Sequence, residues 1–88
     1  MARNSIYRPE HEVLVKLLRE MREEAGLDQT DLAALLGRPQ SHVSSVERGR
    51  RRLDLLQLRD HCRYCGQDLV DFVRRFEMEI AGGSSHAF

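Results

Sequence analysis

Seven arginines lie between residues 38 and 63, and they form the segment whose chemistry is most specific. Only three acidic residues accompany them, which gives the segment a balance of +4, whereas residues 1–37 and 64–88 each balance at −2. A guanidinium group can bind two phosphate oxygens at once. A local arginine cluster on a chain of zero net charge therefore indicates one docking surface for phosphates. The alternative is that arginines 50–52 form only a solvated loop.

Hydrogen-bonding side chains lie in the segment 40–48, immediately before the arginine-rich loop. At about 100° per residue, a helix here places Val43 and Val46 on one face and polar side chains on the other. The polar side chains are Ser41, Ser44, Ser45 and Arg48. Gln40, at the start of this helix, can pair with N6 and N7 of adenine. The pattern predicts a helix anchored by two valines, with a free face suited to a DNA major groove about 12 Å wide.

Five helices are predicted to position these residues, and the sequence has no alternation typical of a strand. Apolar residues at helical spacing predict helices over 9–25, 29–36, 40–48, 53–65 and 69–81. Pro9 and Asp28 suit helix starts, and Gly37 suits the end of the second helix. The apolar content of the fourth helix comes from Leu55, Leu56, Leu58, Cys62 and Cys65. The predicted fold class is therefore all-α.

The 88 residues have room for one hydrophobic core. We expect one domain over residues 9–81, a flexible arm over 1–8 and a disordered tail over 82–88. The arm carries Arg3, Tyr7 and Arg8, which could reach a DNA minor groove, or it is only a disordered leader. The sequence has neither a signal-peptide core nor an apolar run near the ~20 residues of a membrane span. A cytoplasmic protein with no membrane partner is expected.

Two consecutive segments resemble the halves of the helix-turn-helix motif of the phage-repressor-like, Cro/Xre-type regulators. They are Gly-Leu-Asp-Gln-Thr-Asp-Leu-Ala-Ala-Leu-Leu-Gly at 26–37 and Pro-Gln-Ser-His-Val-Ser-Ser-Val-Glu-Arg-Gly at 39–49. The resemblance covers roughly residues 13–76. It implies a compact five-helix, lambda-repressor-like domain with the motif at helices 2 and 3. It also implies a sequence-specific double-stranded DNA-binding transcriptional regulator, most simply a repressor that binds an inverted repeat as a homodimer.

The resemblance also implies roles for individual residues. Gln29 would contact a phosphate and support the side chain of Gln40, while His42 would touch the DNA backbone. Arg22 and Glu47 match a structural pair that bridges helix 1 to the end of helix 3. The full set of implied DNA-binding residues is Gln29, Thr30, Arg38, Gln40, Ser41, His42, Ser44, Ser45, Arg48, Arg50 and Arg51.

Two positions depart from the family pattern. Arg38 stands in the turn, where relatives more often carry a small apolar residue. Ser45 is small where many relatives carry a longer polar side chain, and a hydroxyl that both donates and accepts distinguishes bases weakly. We therefore expect a sizeable share of the specificity to come from DNA shape and deformability.

The last helix has more apolar residues than a core-packing role requires. A dimer seam on this helix is expected, and its predicted residues are Val70, Val73, Phe76, Glu77 and Ile80. The competing interpretation of the whole chain is an antitoxin, which binds a toxin protein and regulates its own operon.

Cys62 and Cys65 form a Cys-x-x-Cys pair beside His61. A structural zinc site normally has four ligands, and the sequence has no second cysteine pair. Both cysteines also occupy apolar helix positions, where a free thiol is a good core residue. The sequence therefore predicts no metal, no cofactor and no catalytic residues.

Overall fold

The computed structural model describes residues 8–84, which form five α-helices and contain no strand. The helices are α1 (Pro9–Glu24), α2 (Gln29–Leu36), α3 (Gln40–Glu47), α4 (Leu55–Tyr64) and α5 (Leu69–Ser84). The predicted all-α fold with the motif at helices 2 and 3 is confirmed.

Local side-chain chemistry defines the starts of α2 and α4. The Asp31 amide donates to Asp28 at 2.7 Å, and the Asp28 amide donates to the Asp31 carboxylate at 3.0 Å. Asp54 and Gln57 form the same reciprocal arrangement before α4, at 2.7 and 2.9 Å. Each pair satisfies amides that the first helical turn leaves without an intrahelical acceptor. The starts of both helices are thus defined by residues that lie next to them in sequence.

The core lies where the five helices meet. Its largest fully buried side chain is Phe72 of α5. The other buried apolar residues are Leu17, Leu18, Met21, Leu32, Ala33, Val43, Val46, Cys62 and Cys65. Both cysteines are free, and burial raises the pKa of the Cys62 thiol to about 11. They therefore remain protonated at neutral pH and pack as small apolar residues.

Two leucines predicted to supply the apolar content of helix 4 are not buried. Leu55 is 66% exposed and Leu56 is 73% exposed. Both stand in the first turn of α4, and Leu56 lies about 160° around the helix from Leu58, which packs against the core. Leucine content alone therefore overstated the buried part of α4.

The predicted disordered tail begins too early. Helix α5 continues to Ser84, through residues 82–84, because the preceding turns are anchored by Phe76 against the core and by an ion pair from Glu79 to Lys16. Two helical glycines cost about 1 kcal/mol each relative to alanine, which is too little to unwind a turn held in this way. Residues 85–88 of the tail and residues 1–7 of the arm lie outside the described residues.

Candidate nucleic-acid interface

Helices α2 and α3 are joined by the three residues Gly37, Arg38 and Pro39. Gly37 has φ +69°, a left-handed conformation that glycine adopts without steric cost. The Arg38 amide donates to the carbonyl of Ala33 at 2.9 Å, which closes the last turn of α2. Ala33 itself is buried where α2 approaches α3. The turn and the packing of buried side chains from both helices together hold α2 and α3 at a defined angle.

Helix α3 has one buried face and one open face. Val43 and Val46 are almost fully buried, as the wheel predicted. Gln40, Ser41 and Arg48 are exposed. Ser44 and Ser45 are half-buried at the edge of the open face. The hydrogen-bonding side of α3 is thus left accessible by the chain's own helices.

A buried ion pair connects α1 to the end of α3. Arg22 Nε donates to Glu47 Oε2 at 2.7 Å, and Arg22 Nη2 donates to Glu47 Oε1 at 3.0 Å. The side chains are only 9% and 6% exposed. The hydrogen bonds to Glu47 raise the pKa of Arg22. Arg22 Nη1 also donates to the carbonyl of Leu27 at 2.8 Å, so one guanidinium ties together α1, α3 and the loop before α2.

The same glutamate continues into a chain of two amide side chains. Gln29 Nε2 donates to Glu47 Oε1 at 3.0 Å, and Gln40 Nε2 donates to Gln29 Oε1 at 2.7 Å. Because a carboxylate only accepts, Gln29 must turn its NH₂ group toward Glu47 and its oxygen toward Gln40. The implied support of Gln40 by Gln29 is present, and it is anchored on Glu47. Sequence reasoning missed the bond from Gln29 to Glu47, since it depends on how α2 and α3 meet.

His42 is not where the resemblance placed it. Its side chain is only 6% exposed, and its ring centroid lies 5.7 Å from that of His61 on α4. Burial lowers the pKa of His42, and His61, Arg38 and Arg51 lower it further. The predicted contact with the DNA backbone is therefore wrong for this side chain. Helical geometry already indicated that this side chain is buried, since position 42 lies about 40° around the helix from Val46 and about 100° from Val43.

The remaining cationic residues line the turns at the two ends of α3. Arg38 lies before it, and Arg48, Arg50 and Arg51 follow it; all four are exposed. The amides of Arg50 and Arg51 donate to the carbonyl of Ser45, at 2.9 and 3.3 Å. The basic loop is thus attached by its backbone to the end of α3, while its side chains reach solvent.

The start of α2 forms a further part of the candidate DNA-binding surface. Thr30 is exposed and Gln29 is half-buried. The capping pair occupies the Asp31 amide with the carboxylate of Asp28. Any phosphate here meets two carboxylates beside the amides of Gln29 and Thr30, which weakens the attraction that a helix N-terminus exerts on an anion.

The fold and this surface together define a helix-turn-helix DNA-binding protein. A family model described as a helix-turn-helix domain matches residues 13–74. The chain therefore belongs to this helix-turn-helix family and is a DNA-binding transcriptional regulator of the Cro/Xre type.

Solved structures of similar proteins agree with this assignment. An XRE-family like protein from Pseudomonas syringae pv. tomato str. DC3000 is 42% identical, with a TM-score of 0.77 over 88% of this chain and 94% of that one. The clp gene regulator ClgR from Corynebacterium glutamicum has a TM-score of 0.77 at 22% identity, over 91% of this chain and 85% of its own, and it shows the fold. A structure of apo-HppE is 30% identical with a TM-score of 0.62, and matches 68% of this chain but 34% of its own. The comparison with curated protein sequences gives no match.

Two further properties concern the part of the chain that the structure describes. None of its helices has the combination of length and apolar character needed to cross a membrane. Within residues 8–84, no three or more histidine, cysteine, aspartate or glutamate side chains are grouped so that they could hold a metal ion.

Proposed function

We propose that the protein is a sequence-specific repressor that binds double-stranded DNA as a homodimer, by equilibrium binding without catalysis, in the cytoplasm. Its site would be an inverted repeat, with one α3 helix in the major groove of each half-site. The observation that carries this proposal is the open polar face of α3. This face is directed to solvent because Val43 and Val46, on the opposite face, are buried in the core. Two such helices about 34 Å apart would match one turn of DNA.

Gln40 is the proposed direct reader of a base. One Nε2 proton is donated to Gln29, which leaves a second proton and Oε1 for a ligand. An amide in this state can donate to adenine N7 and accept from adenine N6. The anchored chain from Glu47 through Gln29 supports this role, because it fixes the amide before DNA arrives and so reduces the ordering cost of binding.

The exposed arginines are the proposed phosphate contacts. Arg38 lies at one end of α3, while Arg48, Arg50 and Arg51 lie at the other, so together they would span the sugar-phosphate backbones on both sides of the groove. Gln29 and Thr30 would contribute a weaker contact at the start of α2. These contacts supply salt-dependent affinity and position α3, but they carry no sequence information.

The three serines of α3 are proposed to make adaptable contacts with base edges or phosphates. A short hydroxyl discriminates bases poorly. DNA shape and deformability would therefore supply a substantial share of the specificity.

The proposal is tested by selecting bound duplexes from a random pool. We expect enrichment of a two-fold symmetric site whose half-sites lie about 10 base pairs apart, centre to centre. The matched control replaces Gln40, Ser41 and Ser44 together by alanine, since these side chains lie outside the core. Equal enrichment by this variant and the parent, or no enriched site at all, would contradict the proposal.

A further inference from the structure

A groove of about 410 Å³ lies between the start of α1 and the second half of α5. Its apolar floor consists of Leu14, Phe76 and Ile80, which are all half-buried. The residues that line the groove belong neither to α2 nor to α3, so it is separate from the open face of α3. The volume lies in the range of about 300–1,000 Å³ that is usual for sites of small molecules.

Charged groups of both signs surround this apolar floor. The guanidinium groups of Arg8 and Arg52 line the groove, and so do the carboxylates of Glu10 and Glu77. Arg8 Nε lies 3.4 Å from Glu10 Oε1, so these two charges compensate each other. Arg52 and Glu77 stand on two different elements, the loop before α4 and helix α5. Such a groove is complementary to a molecule that carries a carboxylate, an ammonium group and an apolar part.

The groove also adjoins the loop that follows α3. His11 lines the groove, and a β-carbon placed on Gly49 would lie 3.8 Å from its Nε2 atom, which is van der Waals distance. Gly49 is followed by Arg50 and Arg51, the proposed phosphate contacts, and then by Arg52 of the groove. One short loop therefore connects the groove with the part of the protein that is proposed to meet the DNA backbone.

We propose that this groove binds a free amino acid with an apolar side chain, and that the bound amino acid lowers the affinity of the protein for DNA. Its carboxylate pairs with Arg52, its ammonium group pairs with Glu77, and its side chain covers the apolar floor. The carboxylate then lies next to Arg50 and Arg51, where it reduces the positive potential that attracts phosphates. The effect on DNA rests on the proposed function, whereas the binding site itself does not.

The groove includes part of the dimer seam expected from the sequence. Phe76, Glu77 and Ile80 line it, whereas Val70 and Val73 do not. Val70 is 60% exposed and Val73 is 39% exposed. The amino acid therefore leaves these two valines of the expected seam uncovered.

The first test follows the amide signals of the full chain by NMR while L-phenylalanine is added. We expect saturable shifts at Leu14, Arg52 and Ile80, with a Kd of about 1 mM for a ligand of about a dozen non-hydrogen atoms. Three matched compounds each lack one group: L-phenylalaninamide lacks the carboxylate, 3-phenylpropionate lacks the ammonium group, and glycine lacks the side chain. Each should bind at least about threefold more weakly than L-phenylalanine.

The second test identifies the charged partners. Glu77→Gln should weaken the binding of L-phenylalanine about three- to fivefold, as for an exposed ion pair. It should leave 3-phenylpropionate unaffected, because that compound has no ammonium group. Arg52→Gln should weaken the binding of both compounds and leave L-phenylalaninamide unaffected. Glu12→Gln is the matched control and should bind like the parent, since Glu12 is exposed on α1 but does not line the groove.

The third test measures DNA affinity while L-phenylalanine is raised to about ten times its Kd, with glycine at the same concentrations as the control for an added zwitterion. The affinity of the parent should fall about two- to fivefold with L-phenylalanine only. For Glu77→Gln, the midpoint of this fall should move to about three- to fivefold higher concentration.

The outcomes separate the site from its effect. Absence of shifts at the groove, or equal shifts with glycine, would overturn the binding site. Binding in the groove without any change in DNA affinity would overturn the effect on DNA. Failure of the ligand-free parent to bind any DNA site would instead remove the proposed function, and the NMR titration would still decide whether the groove binds the amino acid.

Discussion

The recognition helix α3 is held from two sides by contacts of opposite character. At its ends it is held by charge, through the Arg22–Glu47 pair and the amides of Gln29 and Gln40. At its back it is held by His42 against His61, two buried rings whose pKa values burial lowers. The first contact requires ionised groups and the second requires neutral ones. The orientation of one helix therefore depends on an ion pair at its ends and on neutral rings at its back.

The charged side is also the better satisfied of the two. Glu47 accepts three hydrogen bonds, and Arg22 donates a further one to a carbonyl. On the other side, the Nδ1–H group of His61 donates to the carbonyl of Gln57 at 2.8 Å, while its Nε2 is buried without a hydrogen-bond partner among residues 8–84. Removing part of the charged network should therefore cost more than altering the histidine pair.

The largest effect is expected for Glu47→Ala, which leaves the buried Arg22 guanidinium and the Gln29 amide without their acceptor. Breaking a buried pair in this way costs about 3–5 kcal/mol, and urea denaturation should show that loss in the free energy of unfolding. Glu23→Ala is the control, since Glu23 is exposed and its carboxylate lies 3.9 Å from Arg22; it should change stability by less than about 0.5 kcal/mol. A loss below about 1 kcal/mol for Glu47→Ala would show that the network does not hold α3.

The next effect distinguishes the proposed base contact of Gln40 from the proposed phosphate contact of Arg51. Gln40→Ala should cost about 1–3 kcal/mol of DNA affinity, mainly at one base pair, with little change in unfolding. Arg51→Ala should instead weaken binding to every sequence and reduce the slope of log affinity against log salt by about 0.9. Both follow from titrations of a panel of single-base variants of the selected site at several salt concentrations. If both variants gave the same uniform loss, Gln40 would be a phosphate contact and not a reader.

Features that depend only on residues adjacent in sequence could be predicted from the sequence alone. The reciprocal cap of Asp28 and the left-handed Gly37 belong to single turns, so α2 was bounded correctly. The pairing of Arg22 with Glu47 came from family resemblance, because two residues 25 positions apart have no local signal. His42 was misplaced because its role was carried over from the family, although its wheel position beside Val46 favoured burial.

The apolar residues were harder to place than the polar ones. Leu55 and Leu56 have the composition of core residues, and only the packing directions of α4 show that they face outward. The Gln29–Glu47 bond likewise requires the angle at which α2 meets α3. Helical periodicity gives the face that a residue occupies, but not which faces find a partner in the tertiary structure.

The third effect is the pH dependence of stability that we expect from the pair of His42 and His61. Because the folded pKa values of His42 and His61 are lowered, the unfolded chain binds more protons below about pH 6.5, and stability falls as pH falls through the folded pKa. The charges near His42 are Arg38 and Arg51, which oppose protonation. Those near His61 are Asp60 and Glu47, which favour it without outweighing burial.

Each histidine contributes a slope of at most about 1.4 kcal/mol per pH unit. The measurement is urea denaturation at steps between about pH 7 and pH 5, above the range in which carboxylates titrate. His42→Phe should flatten the curve, since an aromatic ring keeps the volume but carries no proton. His11→Phe is the control for the exchange of a histidine by phenylalanine, because His11 lies on α1, outside the pair. Identical slopes for the parent and His42→Phe would exclude His42 from the pH dependence.

The smallest effect concerns the acidic cap at the start of α2, which lies beside Gln29 of the charged network. Asn caps a helix as well as Asp does, so Asp28→Asn retains the bond to the Asp31 amide while removing one negative charge next to the proposed phosphate contact. Stability should fall by about 0.3–1 kcal/mol, because a carboxylate at a helix N-terminus is favourable. DNA affinity should rise about two- to fivefold for every sequence, by the same electrostatic energy with opposite sign. Asp54→Asn, the equivalent cap of α4, is the control for stability alone. If Asp54→Asn raised affinity as much as Asp28→Asn did, the gain would come from the change in net charge. The proposed phosphate contact at the start of α2 would then be excluded as its cause.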